Sequence, residues 1–168
     1  MNHAATQSPA SGSGEIGWEV RPARTDDAPA VAAAVAALLA ELGGTPPARD
    51  AIESEARAHI EDPSLGIVLV AATDDELVGV LTASWARAIQ VAGRLLTIEV
   101  LWTRREWRDR GVGAALVEAL ALAAAAEGAG RVEVGLPRES FPALRATERF
   151  YLANGFERLG PRMRRAVP

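Results

Sequence analysis

The stretch WRDRGVGAAL, residues 107–116, decides the fold because it places two glycines directly before an Ala/Leu-rich helical run. A helix N-terminus carries unpaired N–H groups and about half a positive charge, so it binds phosphate groups readily. Gly111 and Gly113 would let the backbone approach an anion and adopt φ values that other residues avoid. Arg108 and Arg110 would add charged donors beside them. The stretch therefore predicts a strand, a turn and a helix that hold a pyrophosphate group.

Two other phosphate-binding motifs do not fit this stretch. A dinucleotide-binding fold requires a further glycine three positions after Gly113, where this chain has Leu116. A P-loop requires a lysine, and the sequence contains none. The pattern that remains is Arg-x-x-Gly-x-Gly, formed by residues 108–113.

This pattern resembles the acetyl-CoA loop of the GNAT superfamily of N-acetyltransferases, (Arg/Gln)-x-x-Gly-x-(Gly/Ala). Upstream, IEVLWTRREWR, residues 98–108, is similar to the strand that precedes the loop in that family. Downstream, RFYLANGF, residues 149–156, is similar to its F-Y-x-x-x-G-F signature, and VRPARTDDA, residues 20–28, resembles its first strand and turn. The segments follow the family's order and spacing, so together they indicate a GNAT protein.

Individual positions show where the chain follows the family and where it departs. Glu99, Trp102, Glu106 and Trp107 stand where the family has Glu, Tyr, Glu and Tyr, whereas Arg105 replaces a usual proline. Ahead of the F-Y pair the family often has Asn-x-x-Ala, with the asparagine contacting the cofactor. Leucine and threonine occupy those two places here, at Leu144 and Thr147, so that contact is not expected.

The resemblance implies an acetyl-CoA site, and no metal site is expected because the chain has no cysteine and only two histidines. In the family, backbone N–H groups of the loop and the helix start hold the pyrophosphate, and the preceding strand pairs with pantetheine. The cofactor-binding residues implied here are Leu101, Trp102, Thr103, Arg108, Asp109, Arg110, Gly111, Val112, Gly113 and Ala114.

Two residues are candidates for the proton transfers of acetyl transfer. Strand alternation places Glu99 on the same face as Leu101 and Thr103, among apolar neighbours, and an attacking amine needs a base because it must be neutral. Many amine-acetylating members of the family carry an acid there. Tyr151, the only tyrosine, matches the family's tyrosine that protonates the CoA thiolate. The structural alternatives are a charge on the sheet surface and an aromatic residue of the core.

The expected activity is transfer of an acetyl group from acetyl-CoA to a primary amine, directly within a ternary complex. The chain has no cysteine that could form an acetyl-enzyme. A non-catalytic acyl-CoA-binding or sensor domain of the same fold is the alternative, but it would need neither Glu99 nor Tyr151. The acceptor, a small-molecule or peptide amine, is not identified by any motif.

Length and composition predict one acetyltransferase domain, residues 18–168, after a Ser/Gly/Ala/Pro-rich disordered extension, residues 1–17. A net charge of −4 argues against nucleic-acid and membrane partners. No segment resembles a secretory signal or a membrane span, so a cytoplasmic location is expected. The oligomeric state stays open, a homodimer included.

The periodicity of apolar residues predicts the element order βααβββαβαββ. This order and the resemblance give an α/β (α+β) GNAT fold, whose mixed, mostly antiparallel sheet has a parallel splayed pair and flanking helices. The predicted strands cover 18–21, 65–72, 76–88, 94–103, 131–136 and an arginine-rich pair within 156–167, and the predicted helices cover 28–42, 48–61, 113–127 and 141–153.

Two single residues and one arginine cluster outside the motifs have two interpretations each. His59 is interpreted as a helix-surface residue, with a contact to the acceptor as the alternative. Trp85 either lines the acceptor pocket or fills the core. The arginines within residues 162–165 either bind an anionic acceptor or lie on an exposed strand. Asn154, which precedes a glycine, is interpreted as a helix C-terminal residue.

Overall fold

The computed structural model describes residues 17–160, which form one sheet of five strands and four α-helices. The predicted order is confirmed as far as the last helix, with bounds that differ by at most three residues. The strands are β1 (Glu19–Pro22), β2 (Gly66–Ala72), β3 (Leu77–Ala88), β4 (Gly93–Thr103) and β5 (Val132–Val134), and the helices are α1 (Ala28–Glu41), α2 (Arg49–Glu61), α3 (Val112–Ala126) and α4 (Leu144–Ala153).

The last part of the predicted order is not seen. Residues 156–160 form no strand, although the sequence predicts the start of a strand pair there. The remainder of that pair, with Arg162, Arg164 and Arg165, lies outside the described residues. So do residues 1–16 of the predicted extension.

The strands lie in the order β1-β2-β3-β4-β5, and within residues 17–160 only β4 and β5 are parallel. Their contact is short, because residues 96–98 of β4 pair with Val132–Val134 and β5 then ends. Residues 99–103 of β4 continue beyond it without a β5 partner in the described part of the chain. This is the predicted splayed parallel pair.

A bulge interrupts β4 where the two parallel strands separate. Val100 pairs with Thr82 and Ile98 pairs with Ala83, so Glu99 is an extra residue with no pairing partner on β3. The bulge shifts the alternation of side chains. Ile98 therefore faces the same side of the sheet as Leu101, and not the same side as Val100.

The two faces of the sheet carry separate hydrophobic clusters. Helix α3 covers one face with residues four positions apart, each at most 3% exposed: Val112, Leu116, Leu120 and Ala124. Helices α1 and α2 cover the other face, where a smaller cluster contains Val31, Ala34, Val68, Val70 and Val80. Helix α2 contributes no fully buried residue. No helix within residues 17–160 is both long and apolar enough to cross a membrane.

Candidate functional site

A cleft of about 510 Å³ opens where β4 and β5 diverge. Its walls come from the end of α1, the exposed stretch of β4, the start of α3, the segment after β5, and α4. The cleft is lined by every residue that the sequence predicted for catalysis or cofactor binding, with the exception of Arg110: Glu99, Leu101, Trp102, Thr103, Arg108, Asp109, Gly111, Val112, Gly113, Ala114 and Tyr151.

The N-terminus of α3 points its unpaired N–H groups toward this cleft region. Ala115 donates the first helix-starting hydrogen bond, to the carbonyl oxygen of Gly111 at 3.0 Å, so the N–H groups of residues 112–114 precede it. Gly111 has a φ of +81°, in the left-handed region that glycine adopts without strain, and Asp109 has a φ of +60°. Because no side chain caps the helix, these N–H groups are available to an anion.

The structure gives a reason for the glycine at position 113 that the sequence did not predict. It lies inside the first turn of α3, and a Cβ atom there would lie 3.3 Å from Cζ of Phe150. The glycine therefore lets α3 pack closely against α4. Helix packing is thus a reason for glycine at this position that does not depend on a bound anion.

The two arginines of the loop behave differently. The guanidinium of Arg108 donates to both carboxylate oxygens of Glu41 at 2.8 Å, and its Nε donates to the carbonyl oxygen of Thr103 at 3.2 Å. This hydrogen bonding raises the pKa of Arg108 and lowers that of Glu41. Arg110 instead lies over the ring of Trp107, with 5.3 Å from its guanidinium carbon to the ring centroid. Arg110 is not among the residues that line the cleft, and its assignment to the cofactor site stays a prediction.

Glu99 lines the cleft, but as the extra residue of the β4 bulge. The sequence expectation of regular alternation with Leu101 and Thr103 is wrong at this residue, because a bulge cannot be read from period-two alternation. The carboxylate is exposed, whereas Ile98 beside it is buried. A water molecule can therefore reach the carboxylate from solvent.

Tyr151 lies at the inner wall of the cleft and is 7% exposed. Its ring makes edge-to-face contacts with Phe150 and Phe156, each at a centroid distance of 5.2 Å. Burial raises the pKa of the Tyr151 phenol to about 12, so the phenol keeps its proton at neutral pH. Tyr151 thus belongs to the hydrophobic core and to the cleft at once.

The structure shows where the remaining residues of interest lie. His59 does not line the cleft, and its Nε2 lies 3.5 Å from Oγ of Ser84 on the α1–α2 face of the sheet. Trp85 packs against the core beneath α3 and is also absent from the cleft. Asn154 caps α4, because its Nδ2 donates to the carbonyl oxygen of Phe150 at 2.8 Å. Among residues 17–160, no three His, Asp or Glu side chains form a metal-binding group.

Sequence reasoning missed the role of Glu41 in the cleft. Its partner Arg108 lies 67 residues away, so no local motif could reveal the pair. One signal was present: Glu41 is the last residue of α1, where the helix dipole disfavours a carboxylate unless a cation compensates. A second link, from Nη2 of Arg138 to the carbonyl oxygen of Leu42 at 2.7 Å, ties the segment after β5 to the end of α1.

The family model for the acetyltransferase (GNAT) domain matches residues 64–158. The chain belongs to the GNAT acetyltransferase family. This match spans β2 to α4 and therefore contains the glycine loop, Glu99 and Tyr151, whereas α1 and Glu41 precede it.

Solved structures share the GNAT fold with this chain at low sequence identity. The aminoglycoside N-acetyltransferase AAC(6')-Iy in complex with CoA has a TM-score of 0.75 and 15% identity, covering 91% of this chain and 96% of that one. A ribosomal-protein-alanine N-acetyltransferase from Brucella melitensis biovar Abortus 2308 has a TM-score of 0.69 and 17% identity, covering 90% and 99%. An aminoglycoside acetyltransferase from an uncultured soil metagenomic sample has a TM-score of 0.70 and 20% identity, covering 90% and 99%. No curated protein sequence matches significantly.

Proposed function

We propose that this GNAT protein is an N-acetyltransferase that moves the acetyl group of acetyl-CoA directly to a primary amine in a ternary complex. The observation that carries the proposal is the single cleft that contains the start of α3, the unpaired part of β4, Glu99 and Tyr151. We assign residues 18–168 to one acetyltransferase domain. The CoA complex of a structurally similar aminoglycoside N-acetyltransferase supports the choice of co-substrate.

The cleft fits acetyl-CoA at two places. The N–H groups of residues 112–114 and the positive end of the α3 dipole would hold the pyrophosphate. The backbone of Leu101, Trp102 and Thr103 would pair with pantetheine, in the place where β5 no longer covers β4. When bound, acetyl-CoA supplies the acetyl group as an activated thioester.

The β4 bulge gives the strand a means of polarising the thioester carbonyl. Glu99 has no opposite residue in the pairing register with β3, and a bulge disrupts the ladder locally. A backbone N–H near Glu99 would donate to the carbonyl oxygen, where negative charge develops during the reaction. Because the sequence has no cysteine, the amine would attack the thioester itself.

Proton transfers would balance the exchange of a C–S bond for a C–N bond. Glu99 would accept the proton of the amine through a water molecule, because its carboxylate is exposed at the cleft. The phenol of Tyr151 would donate a proton to the departing sulfur. Its raised pKa, about 12, keeps it protonated until then.

The first experiment combines binding with a screen of acceptors. Acetyl-CoA should raise the melting temperature of the wild-type protein, and amines should then be tested by release of free CoA thiol. The panel should include aminoglycosides, peptides with free N-termini and small primary amines. Stabilisation without turnover of any amine would favour the sensor alternative, and no stabilisation would contradict the assignment of the cleft.

Glu99→Gln tests the base once an acceptor is known. We expect kcat/KM to fall most near neutral pH and to recover partly at higher pH, where more of the amine is already neutral. Glu106→Gln, which changes an exposed acid of the neighbouring loop, is the matched control. A uniform loss at every pH would argue against a base, and a raised KM with unchanged kcat would indicate that Glu99 only binds the acceptor.

A further inference from the structure

The Arg108–Glu41 pair lies inside the cleft, at the place where a pyrophosphate is expected. Both residues line the cleft together with Gly111, Val112 and Gly113. The two parallel hydrogen bonds of 2.8 Å form a bidentate pair, the geometry with which arginine also binds phosphate. A carboxylate therefore occupies the face of Arg108 that a phosphate would use.

The position of Glu41 at the end of α1 favours its pairing with Arg108. Glu41 is the last residue of α1, and the last turn of that helix contains no basic residue. The negative end of the helix dipole repels a carboxylate, and the hydrogen-bonded Arg108 compensates most of its charge, with a smaller contribution from Arg105. A second acid, Asp109, lines the same cleft. Two carboxylates, Glu41 and Asp109, therefore line the cleft beside Arg108.

We propose that Glu41 is a built-in competitor of the CoA pyrophosphate, which weakens CoA binding by occupying Arg108. The inference rests on the proposed function, since it concerns the same acetyl-CoA site. Arg108 has five N–H donors, and Glu41 and the Thr103 carbonyl engage three of its nitrogen atoms. A bound phosphate must therefore displace the carboxylate or share the guanidinium with it.

Displacement of Glu41 would have a second consequence. Leu38 and Leu42 flank Glu41 and line the cleft, so the end of α1 forms one of its walls. Arg108 ties that wall to the loop before α3. Binding of CoA would release this tie, and departure of free CoA would restore it. Glu41 would thus set the affinity for the co-substrate and ease the release of the product.

The GNAT family model begins at residue 64 and includes Arg108, whereas Glu41 lies before it. The arginine thus belongs to the matched domain and its competitor does not.

Calorimetric titration with CoA tests the inference on the full chain. We expect Glu41→Gln to bind CoA about three- to tenfold more tightly than the wild type, a range typical of one partly exposed ion pair or like-charge contact. Pantetheine, which lacks the pyrophosphate, should bind both proteins equally. Glu53→Gln is the matched control, because it removes a Glu–Arg pair with Arg57 on α2, away from the cleft.

The CoA affinity of Glu41→Gln distinguishes a competitor role of Glu41 from a positioning role. Unchanged or weaker CoA binding by Glu41→Gln would overturn the competitor role, and weaker binding would mean that Glu41 positions Arg108 for the phosphate. In an Arg108→Gln background, the effect of Glu41→Gln should shrink to the residual repulsion. Glu41→Ala, with a higher helix propensity, serves if the Gln variant does not fold. A wild type that binds no CoA at all would instead overturn the proposed function.

Discussion

The two faces of the sheet differ in how firmly they are packed. On the α3 face, an unbroken stripe of buried residues continues into Trp107 and Tyr151, so the core reaches the cleft itself. On the other face, α2 has no fully buried residue, and α1 meets the cleft through an ion pair and partly exposed leucines. The α3 side of the cleft, which is proposed to bind the cofactor, is therefore built directly on the hydrophobic core. The end of α1 meets the cleft through partly exposed residues only, although the first half of the helix contains buried residues.

Leu120→Ala against Ile60→Ala tests this difference most directly. Leu120 of α3 is fully buried, so its truncation should lower the free energy of unfolding by about 2–5 kcal/mol. Ile60 of α2 is only partly buried, and its truncation should cost less than half of that. Urea unfolding at pH 7 measures both. Equal losses would contradict the contrast between the two faces.

Tyr151→Phe tests whether the buried face also performs chemistry. The substitution keeps the ring and removes the proton donor, so kcat should fall roughly ten- to several-hundredfold while CoA binding is unchanged. Phe156→Leu is the control, because it disturbs the same ring cluster without removing a donor, and it should affect kcat much less. An unchanged kcat in Tyr151→Phe would mean that water or another group protonates the sulfur.

Gly111→Ala and Gly128→Ala compare the two ends of α3. Both glycines have a positive φ, +81° and +71°, and neither has an atom within 4 Å of an added Cβ, so each alanine should cost about 1–2 kcal/mol of stability. Only Gly111→Ala alters the end that faces the cleft, and we expect it alone to weaken CoA binding, by about three- to tenfold. Equal CoA affinities in the two variants would remove Gly111 from the proposed site.

Asp27→Asn probes the α1 side and should have the smallest effect. Asp27 pairs with Arg21 at 2.7 Å and accepts the N–H of Arg24 at 2.7 Å, which together join β1 to the start of α1. We expect a loss of about 1 kcal/mol at pH 7. The hydrogen bond from Arg21 lowers the pKa of Asp27, so this contribution is complete above the unfolded pKa of about 3.9.

The pH dependence of that variant supplies its check. As the pH falls through the lowered pKa of Asp27, the wild type loses the contribution, and its stability should approach that of Asp27→Asn. Denaturant unfolding from about pH 5 down to about pH 2 follows this convergence, because the loss begins below the unfolded pKa. A difference between the two proteins that stays constant over this range would show that the charge of Asp27 is not involved.

Local patterns were sufficient for much of the fold. The apolar periodicity predicted α1, α2 and α3 within one residue at each end, because helices of this length have a strong period. Bounds were less accurate at β5 and α4, where each predicted element was three residues too long. Those segments are short and their ends depend on contacts with β4 and α3 rather than on composition.

The sequence by itself determined the family, the order of the elements as far as α4, and the residues that line most of the cleft. These are local properties, because the left-handed turn at Gly111 and the start of α3 depend on neighbouring residues. Tertiary structure decided the bulge at Glu99, the stacking of Arg110 on Trp107 and the pairing of Arg108 with Glu41. Each of these depends on where a side chain or a second strand lies in space, and residues far apart in the chain meet only when the sheet and its helices have packed.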